Sequence, residues 1–135
     1  MTAPRLLRRL PLPNGLSLEI YDHSRPMAGD RWQVTLEVRI PIPLDPPHLP
    51  PHLAERREEV VRALGPDFAF SQMDRRHFID VREVPALLRD MEERLLHTLK
   101  AYIHHPEFAP RFVARKFKEY EERQSWQARL RPEEA

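Results

Sequence analysis

The run Trp32-Gln-Val-Thr-Leu-Glu-Val-Arg-Ile-Pro-Ile42 decides the fold. Trp32, Val34, Leu36, Val38, Ile40 and Ile42 fall on one side of an extended chain and Gln33, Thr35, Glu37 and Arg39 on the other. That is the two-residue period of a strand buried on one face. At about 3.3 Å per residue the strand spans about 35 Å, near the upper limit for a globular domain. Pro41 and Pro43, two apart, remove N–H donors from the same edge. On that edge the strand is either unpaired over its last third, or its neighbour stops before Arg39.

Working outward towards the N-terminus, Leu16, Leu18 and Ile20 alternate with Ser17, Glu19 and Tyr21, a second strand that follows the turn residues Pro11-Leu-Pro-Asn-Gly15. Asp22 to Asp30, containing Pro26 and Gly29, reads as the loop of an antiparallel hairpin. On the C-terminal side, residues 41–51 hold six of the fifteen prolines, which predicts an extended, polyproline-like crossover. A helix is expected from Pro51 to Leu64, ended by Gly65-Pro66. Residues 67–80 read as one long strand, with a short hairpin turning at Asp74-Arg75 as the alternative. Asp80, three before Glu83, caps a helix from Val81 to His104 whose Leu88, Met91, Leu95 and Leu99 face the sheet. A last helix starts at Pro106, carries Phe108, Phe112, Val113, Phe117 and Tyr120, and frays after Trp126. The order is strand, strand, helix, strand, helix, helix. This predicts an α+β fold, a small antiparallel sheet of about three strands with helices packed on one face, the third strand beside the first. Residues 1–128 form one domain and 129–135 a disordered tail.

The 135 residues carry 22 Lys and Arg against 21 Asp and Glu, so no net field selects a polyanion or a polycation. The chain has no cysteine, which excludes disulfides and thiolate chemistry. With no export signal and no long apolar run, the expected location is cytoplasmic. His48, His52 and Glu55 have a spacing that could hold a metal on a helix, but Pro50-Pro51 breaks that helix, so no metal site and no cofactor are expected. His104-His105 suits the negative end of a helix dipole. Only three glycines are present and no serine lies in a nucleophile-elbow context, so no enzyme motif is found. Two basic clusters, Arg5/Arg8/Arg9 and Arg111/Arg115/Lys116/Lys118, are candidates for phosphate contact. The second alternates with Glu119, Glu121 and Glu122, as on a solvated helix, and nucleic acid is not the expected partner.

Two functions remain. The first is a non-catalytic protein-interaction or regulatory module, self-associating as a homodimer through Trp32, Phe112, Phe117, Tyr120 and Trp126, aromatics too many for one helix stripe to bury. The alternative is a small-ligand or nucleotide-binding domain in which the loop residues Asp22, Ser24 and Arg25 meet Arg75, Arg76 and His77 in one pocket. Guanidinium and imidazole groups are suited to anions.

Arg5-Leu-Leu-Arg-Arg9, followed by Asp22-His-Ser24, resembles the PilZ cyclic-di-GMP module, whose signature is Arg-x-x-x-Arg and then Asp/Asn-x-Ser-x-x-Gly. The resemblance implies that Arg5 and Arg9 grip phosphate and guanine, with Asp22 and Ser24 in the tight turn. Met27 stands where that signature has glycine, with Gly29 two residues late, and the helix-rich remainder departs from a six-stranded barrel. The stretch from Asn14 to Trp32 is also similar to small bacterial proteins of unknown function, which implies no activity.

Overall fold

The computed structural model describes residues 3–130. Its strands are β1 (Arg5–Pro11), β2 (Ser17–Asp22), β3 (Arg25–Ala28), β4 (Arg31–Pro41) and β5 (Ala69–Asp80). Its α-helices are α1 (Arg57–Leu64), α2 (Val84–Ile103) and α3 (Phe108–Leu130). The chain divides into two compact units. One holds the residues up to Pro41 together with Ala69–Pro106, and the other holds Ile42–Phe68 with the residues from Glu107 onward.

In the first unit β4 is central and every pairing is antiparallel. β5 runs along one edge of β4, from Asp80 opposite Arg31 to Ala69 opposite Pro41. On the other edge β2 lies against Leu36 to Arg39, and β3 lies against Arg31 to Gln33. The two form one path, joined where the His23 N–H donates to the Thr35 carbonyl at 2.9 Å. Pairing with β2 ends at Arg39, before Pro41. The Ile42 N–H turns instead towards Phe68 at 2.9 Å.

The sheet therefore has five strands, not about three, and the third long strand (β5) pairs with β4 rather than beside β2. The two additional strands both lack an alternating pattern. In β1, Leu6 lies opposite Tyr21 and Arg8 opposite Ile20, so Leu7 is an extra, bulged residue. The bulge puts Leu10 on the face of Leu18 and Arg9 on the face of Glu19. β3 is exposed throughout and contains Pro26. It exists because the two-residue turn Gly29-Asp30, with Gly29 at φ 57°, folds it back on β4.

Residue 67–80 contributes one strand, without a hairpin at Asp74-Arg75. The even-numbered face of β4 is the core, with Val34, Leu36, Val38 and Ile40 fully buried. α2 covers this face with Leu88, Met91, Leu95, Leu99 and Ile103, the stripe its periodicity predicts. Each such side chain contributes about 1.5–3 kcal/mol by leaving water.

In the second unit, the segment expected as helix from Pro51 starts as a 3-10 turn and becomes α-helical at Arg57. The proline-rich connector is not extended throughout: the Asp45 carbonyl accepts from the N–H groups of His48 and Leu49. α1 packs on α3, and Leu53, Val60, Phe108, Phe112, Val113 and Phe117 are buried. The Phe68 and Phe112 rings stand 5.5 Å apart. α3 continues past Trp126 to Leu130 with its last ten positions exposed, so Arg129 and Leu130 are helical, while the rest of the expected tail lies outside the described residues.

Candidate functional site

The odd-numbered face of the sheet is polar, and cross-strand pairing arranges its side chains in rows. At one end, Arg25 of β3, Gln33 of β4 and His77 of β5 form a chain. Arg25 Nε donates to Gln33 Oε1 at 3.0 Å, and Gln33 Nε2 lies 3.3 Å from His77 Nδ1. In the neighbouring row, Arg75 Nε donates to Thr35 Oγ1 at 3.3 Å. His23 completes it, with Nε2 2.8 Å from Glu37 Oε1. Glu37 also accepts from Ser71 Oγ at 2.5 Å. Two arginines and two histidines thus stand at opposite corners around a Gln–Thr centre.

What distinguishes this cluster is charge balance. Arg25 and Arg75 each hydrogen-bond a neutral side chain and, among the described residues, neither pairs with a carboxylate. The other arginines of the five strands each meet a carboxylate. Further along the same face, Glu19 accepts from Arg9 at 3.0 Å, Arg39 at 3.4 Å and the Tyr21 hydroxyl at 3.2 Å. Burial first, and then the hydrogen bond to Glu19, pushes the Tyr21 phenol up from its ordinary value. Arg5, Arg8, Arg56, Arg57, Arg82 and Arg94 each meet an acidic partner.

Of the six residues expected to form one ligand site, the sheet brings together Arg25, Arg75 and His77 and separates the others. Asp22 and Ser24 line a cleft on the α2 side of the sheet. There Asp22 Oδ1 accepts from the Ser24 N–H at 2.8 Å, and Oδ2 accepts from Arg5 at 3.2 Å. Ser24 is buried, its hydroxyl accepting from the Thr35 N–H at 3.1 Å. Arg76 lies opposite Val34, on the other face from Arg75, and is paired with Asp74. Alternation along β5 forces this division. Gln33, Thr35 and His23 were not read as site residues. Only the hairpin register, which sets Gln33 opposite Arg25, carries a signal for the first of them.

The cleft that holds Asp22 and Ser24 also includes Trp32, Val81, Val84, Pro85 and Leu88, and its volume is about 470 Å³. Among the expected interface residues, Trp32 is half-buried in it, while Phe112 and Phe117 are buried in the second unit. Tyr120 is half-buried and stacks on Phe117 with ring centroids 6.1 Å apart. Trp126 is 59% exposed. The β1 bulge sets Arg5 and Arg9, the two arginines of the PilZ-like pattern, against Asp22 and Glu19 on opposite faces.

Among the described residues, no group of three His, Asp or Glu stands close enough to share a metal ion, and no helix is long and apolar enough to cross a membrane. In comparison with known proteins, the chain matches no family model, no curated protein and no solved structure.

Proposed function

We propose that the chain is a non-catalytic ligand-binding domain that takes a phosphate-bearing anion on the odd-numbered face of its sheet. The observation that carries this reading is the pair of guanidiniums, Arg25 and Arg75, anchored over β4 by neutral acceptors and without a carboxylate partner among the described residues. A guanidinium has five N–H donors, and each of these two uses one of them. The remaining donors match phosphate oxygens in the forked geometry that favours arginine over lysine. Gln33 and Thr35 are two positions apart on one face of β4, and the two guanidiniums reach them from the flanking strands β3 and β5, so both present donors to the same face of the sheet. His77 adds a third donor at the rim.

The test is a titration of the isotopically labelled full chain with inorganic pyrophosphate. Saturable backbone shifts are expected at Arg25, Gln33, Thr35, Arg75 and His77. Arg25→Gln and Arg75→Gln are each expected to weaken binding about tenfold, since both side chains are exposed and neither carries a structural ion pair. Absence of saturable shifts at these residues, or unchanged affinity in the double variant, rejects the reading.

A second reading, self-association, is supported by one specific observation. Trp126 and Leu130, one turn apart on the exposed end of α3, are 59% and 64% exposed. With Phe112 and Phe117 buried, the homodimer contact narrows to this end of the helix. Sedimentation equilibrium of the chain and of Trp126→Ala decides it. A monomer at all concentrations ends this reading.

A further inference from the structure

We propose a second binding site, in the cleft between β1, β2, β4 and the start of α2, for a small molecule with a flat apolar body and one carboxylate. It lies in the first unit, on the opposite side of the sheet from Arg25 and Arg75, and stands independently of the phosphate reading.

The cleft arises from a mismatch between strand and helix. Trp32 is the first core-facing residue of β4, and its position predicts burial like that of Val34 and Leu36. On α2, however, the first buried residue is Leu88, while Val84 and Pro85 leave the opening turn part-covered. The indole is therefore only half-buried, facing Val84, Pro85 and Leu88 across an opening of about 470 Å³. That is within the range of small-molecule sites, about 300–1,000 Å³, and its walls are aromatic and aliphatic, as such sites usually are.

One polar pair closes the cleft, and its bonding selects the ligand's polar end. Both oxygens of Asp22 are occupied, Oδ1 by the Ser24 N–H at 2.8 Å and Oδ2 by Arg5 Nη2 at 3.2 Å. Asp22 is thus a fixed base for Arg5 rather than a free acceptor, and its side chain is 12% exposed. The Arg5 side chain is 70% exposed and uses one donor in that bond. Its spare N–H groups face water, and a carboxylate can replace that water in the forked geometry a guanidinium favours. An ammonium ligand would have to share Asp22 with the Arg5 guanidinium, a like charge. The apolar walls favour a flat body able to lie against the Trp32 indole.

The probe is naphthalene-2-carboxylate, with 2-naphthylmethylammonium as the opposite-charge control, titrated into the labelled full chain. The two tryptophans give two indole N–H signals, so Trp126 serves as the internal control. The carboxylate should shift the Trp32 indole and the backbone of Val84 and Leu88 saturably, leaving Trp126 unmoved. The ammonium should bind at least about tenfold more weakly. Arg5→Gln should weaken the carboxylate about tenfold and, by freeing Asp22, strengthen binding of the ammonium. Val84→Trp, which fills the cleft, should abolish both. Equal binding of the two probes, equal movement of both indoles, or retention of carboxylate affinity in Arg5→Gln each overturns the proposal.

Discussion

Gln33 Nε2 lies 3.3 Å from His77 Nδ1, and together with Arg25 on its oxygen this contact orients the Gln33 amide. Arg25 Nε can only donate, so the oxygen of the Gln33 amide must face it and the NH₂ must face His77. His77 Nδ1 is then the acceptor in this contact, and Nε2 is the ring nitrogen left to face a ligand.

Loss of the His77 side chain, which stands at the rim, should therefore weaken pyrophosphate binding less than loss of a guanidinium. Pyrophosphate affinities of His77→Ala and Arg25→Gln, measured at one pH, check this, and an equal or larger loss in His77→Ala refutes it.

Asp80 caps the chain before α2, but its carboxylate accepts from the Arg82 N–H at 2.9 Å and from the Arg82 guanidinium, not from Glu83. The 3-10 turn Val81–Glu83 moves the cap by one residue. The guanidinium hydrogen bond, and secondarily the backbone N–H, hold the Asp80 carboxyl down to about 2, against an ordinary 3.8. A depressed folded-state value contributes stability that is present above the ordinary value and lost as pH falls through the folded one. The stability difference between the wild type and Asp80→Asn should accordingly be constant above about pH 4 and shrink towards about pH 2. Urea titrations at several pH values measure it, and a difference that grows with acid contradicts the assignment.

Leu95 sits on the sheet-facing stripe of α2 at 8% exposure. Leu95→Ala should cost about 2–5 kcal/mol as a cavity substitution. Thr98→Ala, at an exposed position of the same helix, should stay within about 0.5 kcal/mol. A loss under about 1 kcal/mol at Leu95 would show that this stripe is not the core.

What was legible in the sequence was whatever repeats. The even-numbered residues of β4 and the Leu88–Leu99 stripe each follow one period without interruption, so their elements and buried faces can be read directly. β1 escapes because Leu7 interrupts its alternation, and β3 because Pro26 and Gly29 carry loop signals although the Gly29-Asp30 turn keeps the chain paired. The arginines and His77 of the candidate site stand out by residue type. Their arrangement depends on Gln33 and Thr35, ordinary polar residues that matter only through the register of β3 and β5 against β4. That register is a non-local quantity. Phe112 and Phe117 read as surplus because one helix stripe has no sequence signal for a second core to receive them. Phe68 and α1 give them a core of their own.

Phe78 stores backbone strain at the end of β5. Trp32 lies opposite Ile79 and Val34 opposite Arg76, so β5 carries one residue more than β4 between these pairs. Phe78 is at φ 58°, in the left-handed region that a bulky side chain enters at a cost of about 1–2 kcal/mol. The bulge lets Ile79 face Trp32 while the Phe78 ring stands 68% exposed. An exposed ring contributes little burial to offset that cost. Glycine removes the steric penalty but adds about 0.5–1 kcal/mol of chain entropy to be lost on folding. Phe78→Gly should therefore be neutral or stabilising by up to about 1 kcal/mol. Phe78→Val, with a β-branched side chain at the same φ, should not be stabilising. Denaturation midpoints of the three proteins compare them directly. A loss above about 1 kcal/mol in Phe78→Gly would mean that the ring makes a stabilising contact its exposure does not reveal.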